Sequence, residues 1–236
     1  MPLDELLLVA KKAQEQSYTA IAVQGGEIES EANTRYIEDF LSAVDIQEIT
    51  LSLGEQSHEV YKRWKTAANG KLLRYLLRIE SSNKKLFSSI HSSEASYENR
   101  LNAIRNLKKL GFVTGSGVMI GLPNQTIEDL ANDIVFYGVE NLDMVGMGPY
   151  IPCEDTPLPP SRYSAEERLD LSLKMIALTR LYLWDVNIVS STALEVLSPG
   201  AKSLALQSGA NVIMPNFTPE KYRQSYRLYP GKIQAS

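Results

Sequence analysis

An arginine and a glutamate two residues apart, Arg78 and Glu80, close a strand-like run, Leu73–Glu80. Side chains alternate across a strand, so the two point to one face, following Leu76. A charged pair turned into a folded domain is costly unless its members match each other or a ligand. The spacing therefore reads either as an internal salt bridge or as part of a site for a charged small molecule. Reactive side chains are otherwise sparse. Cys153 is the only cysteine, which rules out an internal disulfide and fits a reducing cytoplasm. It follows a proline, and His58 and His91 are the only histidines. With no clear base to activate it, the thiol reads as inert.

The elements that must carry these residues alternate between helix-period and strand-like segments. Leu3, Leu6, Leu7, Ala10 and Ala13 form one face of an opening helix, and Thr19–Gly26 is a strand ending in glycines. A helix with Tyr36, Ile37, Phe40, Leu41 and Val44 on one side leads to a second strand, Ile46–Leu53. His58–Ala68 is a helix before the third strand. Tyr97–Leu110 is another, stopped by Gly111 in the position that favours glycine. A fourth strand spans Phe112–Gly121, a fifth Leu142–Gly148, a sixth Val186–Ser191 and a short seventh Asn211–Met214. The two helices flanking the fifth strand start at a weak capping signal, Thr126–Asp129, and a full capping box, Ser164–Glu167.

Strands alternating with helices imply a parallel sheet covered on both faces. Polar residues collect at the C-terminal ends of nearly every strand, where β/α barrels place their sites; a doubly wound sheet gathers them at one switch point. The predicted fold is an α/β barrel of the TIM type with about seven β/α units, lacking its first strand. Residues 1–236 form one partial barrel domain, since no linker or repeat marks a second. Lys and Arg number 24 against 28 Asp and Glu, a balance that offers no general attraction to nucleic acid or an anionic membrane. No apolar run reaches the ~18 residues of a spanning helix. A cytoplasmic protein is expected.

Six stretches, in order, resemble the HydE family of radical S-adenosylmethionine (SAM) proteins, maturases of [FeFe]-hydrogenase. They are LSLGE at 51–55, RYLLRIESSN at 74–83, ENRL at 98–101, GVMIGLPNQTIEDL at 117–130, DMVGMGPYIPCEDTPL at 143–158 and GANVIMPNFTPEKYRQSYRLYPGKI at 209–233. Biotin synthase and methylornithine synthase share the general plan and stand as alternatives. The resemblance implies a 5′-deoxyadenosyl radical made from SAM on a [4Fe–4S] cluster. It implies that Gln24, Gly25, Gly26, Glu27, Ser52, Glu80 and Arg100 contact SAM. It further implies that Arg78, Ser191, Thr192, Met214, Asn216, Tyr226 and Tyr229 line the cavity for a small sulfur- or amino-acid-derived substrate. The physics agrees in part: glycines let a ligand approach the backbone, Glu27 can pair with an ammonium, and an arginine fork fits a carboxylate. Each has a plainer reading: a strand-to-helix turn for the glycines, a solvated charge for Arg100, core packing for Met214 and the tyrosines. Other hydrogenase maturation proteins are the implied partners. The family's cluster is held by a C-x3-C-x2-C loop, and the resemblance starts this chain just after it. With one cysteine, the chain itself supplies no such ligand set. The competing readings are a non-catalytic barrel that binds a metabolite or a maturation partner, and a fragment without its own cluster or function.

Overall fold

The computed structural model describes residues 1–154, 156–223, 225 and 230–231. In chain order the elements are α1 (Leu3–Glu15), β1 (Ala20–Gln24), α2 (Glu31–Ala43), β2 (Glu48–Ser52), α3 (His58–Ala67), β3 (Leu72–Leu76), α4 (Lys84–Ile90), α5 (Tyr97–Lys109) and β4 (Val113–Ser116). They continue with β5 (Met119–Ile120), α6 (Ile127–Val139), β6 (Met144–Val145), β7 (Gly148–Pro149), α7 (Ala165–Tyr182), β8 (Asn187–Ile188), α8 (Thr192–Leu197), α9 (Ala201–Gln207) and α10 (Glu220–Arg223). Two compact units emerge among the described residues: Met1–Leu77 with Glu98–Gly115 and Phe217–Tyr222, and Arg78–Tyr97 with Ser116–Asn216 and Arg223.

In the first unit β1, β2, β3 and β4 pair in that order, all parallel. The alternation that predicts strands decides what they bury. Ile49 and Leu51 of β2, and Leu73 and Tyr75 of β3, are fully buried. Tyr61 and Trp64 of α3 pack on Tyr75, and Phe112 closes the aromatic cluster edge-on. The Trp64 indole donates to the Thr34 carbonyl at 3.1 Å, so this buried ring leaves no polar atom unsatisfied. β1 differs: its residues alternate between exposed and half-buried, because it lies at an edge with β2 as its one neighbour among the described strands.

In the second unit β5 pairs with β7 and β6 with β8, again parallel. α6 and α7 both open on complete capping boxes, Thr126 with Asp129 and Ser164 with Glu167. The signal at Thr126 is thus fuller than its sequence suggests, because aspartate can make the return bond at 2.7 Å.

Several predicted boundaries need correction. The third strand ends at Leu76 rather than Glu80. Glu80 has φ +63°, outside any strand geometry. The fourth strand divides into β4 and β5, and the fifth into β6 and β7. The break follows from Gly117, where a Cβ would overlap the Gly146 carbonyl oxygen. The sixth strand shrinks to Asn187–Ile188, and the seventh to a single bridge between Val189 and Val212. Gly117→Ala is expected to lower stability by about 1–3 kcal/mol through overpacking against rigid backbone, read as a lower urea midpoint at unchanged slope. Three helices of six or seven residues, α4, α8 and α9, and the four-residue α10 have no counterpart in the sequence reading. Each is too short for its apolar period to stand out.

Candidate functional site

Within the first unit, the ends of β1 and β2 bring five predicted residues, Gln24, Gly25, Gly26, Glu27 and Ser52, into one neighbourhood. Gln24 is the register partner of Ser52, and the Gly25 amide donates to the Ser52 carbonyl at 3.1 Å. The glycine pair then turns the chain so that Glu27 lies across Gly54. That residue has φ +75°, and a Cβ on it would overlap the Glu27 side chain. Only glycine satisfies both demands.

Arg100 reaches Glu27 from α5. Its Nη2 lies 3.2 Å from Glu27 Oε2, and its Nε lies 3.0 Å from Glu55 Oε2. The same Glu27 oxygen accepts the Glu55 amide at 2.9 Å. The arginine side chain is only 13% exposed, so it is not a solvated surface charge. Its guanidinium is pre-oriented by two carboxylates, which lowers the entropy lost when it grips a third group. Glu55 was missed as a site residue. Its signal was present, since it ends the LSLGE stretch and follows the glycine that admits Glu27. Tyr75 donates to the Gly54 carbonyl at 2.9 Å and Tyr61 accepts the Gln56 amide at 2.9 Å, fixing the loop that carries Glu55. Burial pushes both phenols above their ordinary range.

Within the second unit, Arg78 and Glu80 do pair, Nη2 to Oε2 at 3.0 Å. Arg78 Nη2 also donates to the Val118 carbonyl at 2.7 Å. Leaving the strand does not separate the two side chains. Glu80 keeps its place through backbone bonds, its amide to the Gly117 carbonyl and its carbonyl to the Met119 amide, both at 3.0 Å. Ser191 is the N-cap of α8, yet its hydroxyl does not cap the helix. The Oγ is buried without a hydrogen-bond partner and lies where a Cβ on Gly148 would collide with it. Thr192 is half-buried at the first position of α8, Met214 is exposed, and Asn216 is half-buried. Tyr226 and Tyr229 lie outside the described residues.

A buried acidic pair stands one turn apart on α6. Asp133 is fully buried, and its Oδ1 accepts both the Ser82 amide and the Ser82 hydroxyl, at 2.7 and 2.6 Å. Burial raises its carboxyl to about 7, with the Asp129 charge adding to the effect. Burial works against Asp129 as well, but bonds from Asn83 and Thr126 hold its carboxyl below the ordinary value. Cys153 is free and half-buried. Among the described residues no group of three His, Cys, Asp or Glu side chains is arranged to hold a metal ion. No described helix is long and apolar enough to cross a membrane.

Residues 1–136 match the Radical SAM superfamily. The chain is 44% identical over 99% of its length to the [FeFe] hydrogenase maturase subunit HydE of Thermotoga maritima, and spans 65% of that protein. Its fold is similar to that of methylornithine synthase (PylB), with a TM-score of 0.75 at 20% identity over 91% of this chain and 62% of that one. The maturase HydG from Carboxydothermus hydrogenoformans gives a TM-score of 0.74 at 19% identity, covering 93% of this chain and 54% of that one. These likenesses place the parallel α/β architecture in the barrel class expected from the alternation of elements.

Proposed function

Because this chain belongs to the Radical SAM superfamily, we propose that its residues grip SAM, and that it serves as a HydE-type maturase in assembling the active-site cluster of [FeFe]-hydrogenase. The observation that carries the reading is the Glu27–Arg100–Glu55 constellation beside the Gly25–Gly26 turn. SAM ends in an amino acid, with an ammonium and a carboxylate on one carbon. Glu27 offers the ammonium a carboxylate, Arg100 offers the carboxylate a fork, and the glycines let the backbone come close. Glu55 positions the arginine. Gln24 and Ser52 supply polar groups at neighbouring strand ends, and Glu80 is assigned to SAM as well. Arg78, Ser191, Thr192, Met214, Asn216, Tyr226 and Tyr229 are assigned to a small sulfur- or amino-acid-derived substrate. The buried, unpartnered Ser191 hydroxyl supports this, since such an atom gains most from a ligand. We read residues 1–236 as one partial barrel domain, working in the cytoplasm with other hydrogenase maturation proteins.

Bound SAM supplies the superfamily's radical chemistry on one-electron reduction; the chain contributes grip, orientation and exclusion of water. The residues present do not fit a [4Fe–4S] cluster. Such a cluster takes about three or four thiolates, and Cys153 is the only thiol in the sequence. No step is therefore routed through a cluster held by this chain. The same fact favours a second reading, in which these residues bind SAM without radical chemistry of their own. Calorimetric titration of the chain with SAM tests the common part of both. One SAM bound per chain, displaced by S-adenosylhomocysteine, is the expected result; absence of binding would remove both.

A further inference from the structure

Glu80 sits in a backbone conformation that its side chain disfavours. A non-glycine residue at φ +63° is strained, so neighbouring contacts must hold it there. On its N-terminal side, the Ile79 amide donates to Ser116 Oγ at 3.1 Å. On its C-terminal side stands the turn Ser81–Ser82–Asn83, tied to α6 by two aspartates. Asp129 accepts from Asn83 Nδ2 at 2.7 Å, and Asp133 accepts from both donors of Ser82. Asn83 then caps α4 through the Lys85 and Leu86 amides. Asp129 is committed elsewhere too, its second oxygen taking the Thr126 amide and hydroxyl in the capping box.

Asp133 has no such second duty. Its Oδ2 is buried without a hydrogen-bond partner, and so is the Tyr137 hydroxyl on the next turn of α6. An unpartnered carboxyl oxygen in the core is a standing cost that the fold offsets through Ser82 alone. Asp133 feels the charge of Asp129 on α6, and Tyr137 feels those of Asp133, Arg78 and Glu80.

We propose that Asp133 is a positioning residue for Glu80: its clamp on Ser82 holds the left-handed turn that aims the Glu80 carboxylate. Asp133 touches no ligand in this scheme, and its effect on SAM rests on the reading of Glu80 as a SAM contact.

The test joins amide hydrogen exchange to SAM titration on the full chain. Asp133→Ala should speed exchange of the Ser82 amide at least about tenfold, while the Ile176 amide in α7 stays protected and reports that the unit is folded. SAM affinity should fall about tenfold, in line with one badly aimed charge-assisted contact. Asp133→Asn keeps an acceptor of the same shape, so it should restore both Ser82 protection and SAM affinity; it also serves if the alanine variant does not fold. Glu80→Gln should weaken SAM with Ser82 protection unchanged. Wild-type exchange at Ser82 in Asp133→Ala would overturn the clamp, whatever SAM does. Faster exchange with undiminished SAM affinity, where Glu80→Gln does weaken SAM, would overturn the positioning role. If Glu80→Gln leaves SAM affinity intact, the assignment of Glu80 to SAM fails, and the exchange result still decides whether Asp133 holds the turn.

Discussion

Arg100→Ala is expected to reduce the chain's affinity for SAM by at least about a hundredfold, since two charge-assisted bonds are worth on the order of 3 kcal/mol or more together. The magnitude rests on what remains after the arginine is gone. Glu27 and Glu55 both point at the guanidinium, and Glu27 Oε2 also meets the Glu55 amide. Without the cation, two carboxylates face the place where a third, from SAM, would have to sit. Like charges at that range repel, so the variant loses an attraction and gains a repulsion. Arg100→Lys should recover only part of the loss, because an ammonium cannot span the same fork. Titration calorimetry of the three chains measures the effect. A fall smaller than about fivefold for alanine would mean that Arg100 does not carry the SAM carboxylate.

Raising the pH from about 4 to about 8 is expected to remove on the order of 4 kcal/mol of stability through Asp133 alone. The carboxyl is raised from 3.8 to about 7 by burial. Its folded pKa thus lies above its unfolded one, so the folded state holds the proton more tightly. The stabilisation is complete below the unfolded pKa and is lost as pH rises through the folded one. Asp129 has the opposite sign: its lowered carboxyl contributes stability that is lost as the pH falls into the acid range. Other groups titrate in the same interval, so the informative quantity is the difference between wild type and Asp133→Asn. Urea unfolding at several pH values should show the wild-type midpoint falling relative to that variant as pH rises. Parallel curves would show that Asp133 titrates normally.

The barrel-type architecture was legible because its signal is long-range and repeated. Helix-period and alternating segments recur along the whole chain, and several helix ends carry capping residues or glycine that fix their positions. The shorter elements were not. β5, β6, β7 and β8 are two residues each, and the break beside β5, β6 and β7 lies where Gly117 meets Gly146, which no local pattern encodes. The site was legible where chemistry and backbone coincide. Gly25, Gly26 and Glu27 announce a turn with an acid, and Arg78 with Glu80 announces a charge pair. Arg100 was found through resemblance, since nothing on an exposed-looking helix surface marks one arginine as 13% exposed. Glu55 and Asp133 were missed for one reason: each acts by holding another residue, and its partner lies distant in sequence. Glu55 is 45 residues from Arg100, and Asp133 is 51 from Ser82.

Amide hydrogen exchange of the chain with and without saturating SAM tests most directly whether the first unit's glycine turn grips this ligand. Slower exchange should concentrate at Gly25, Gly26, Glu27 and Glu55, and should vanish in Arg100→Ala. SAM that binds while those amides exchange at their free rate, with protection appearing elsewhere, would contradict the assignment of Glu27 and Arg100 to SAM.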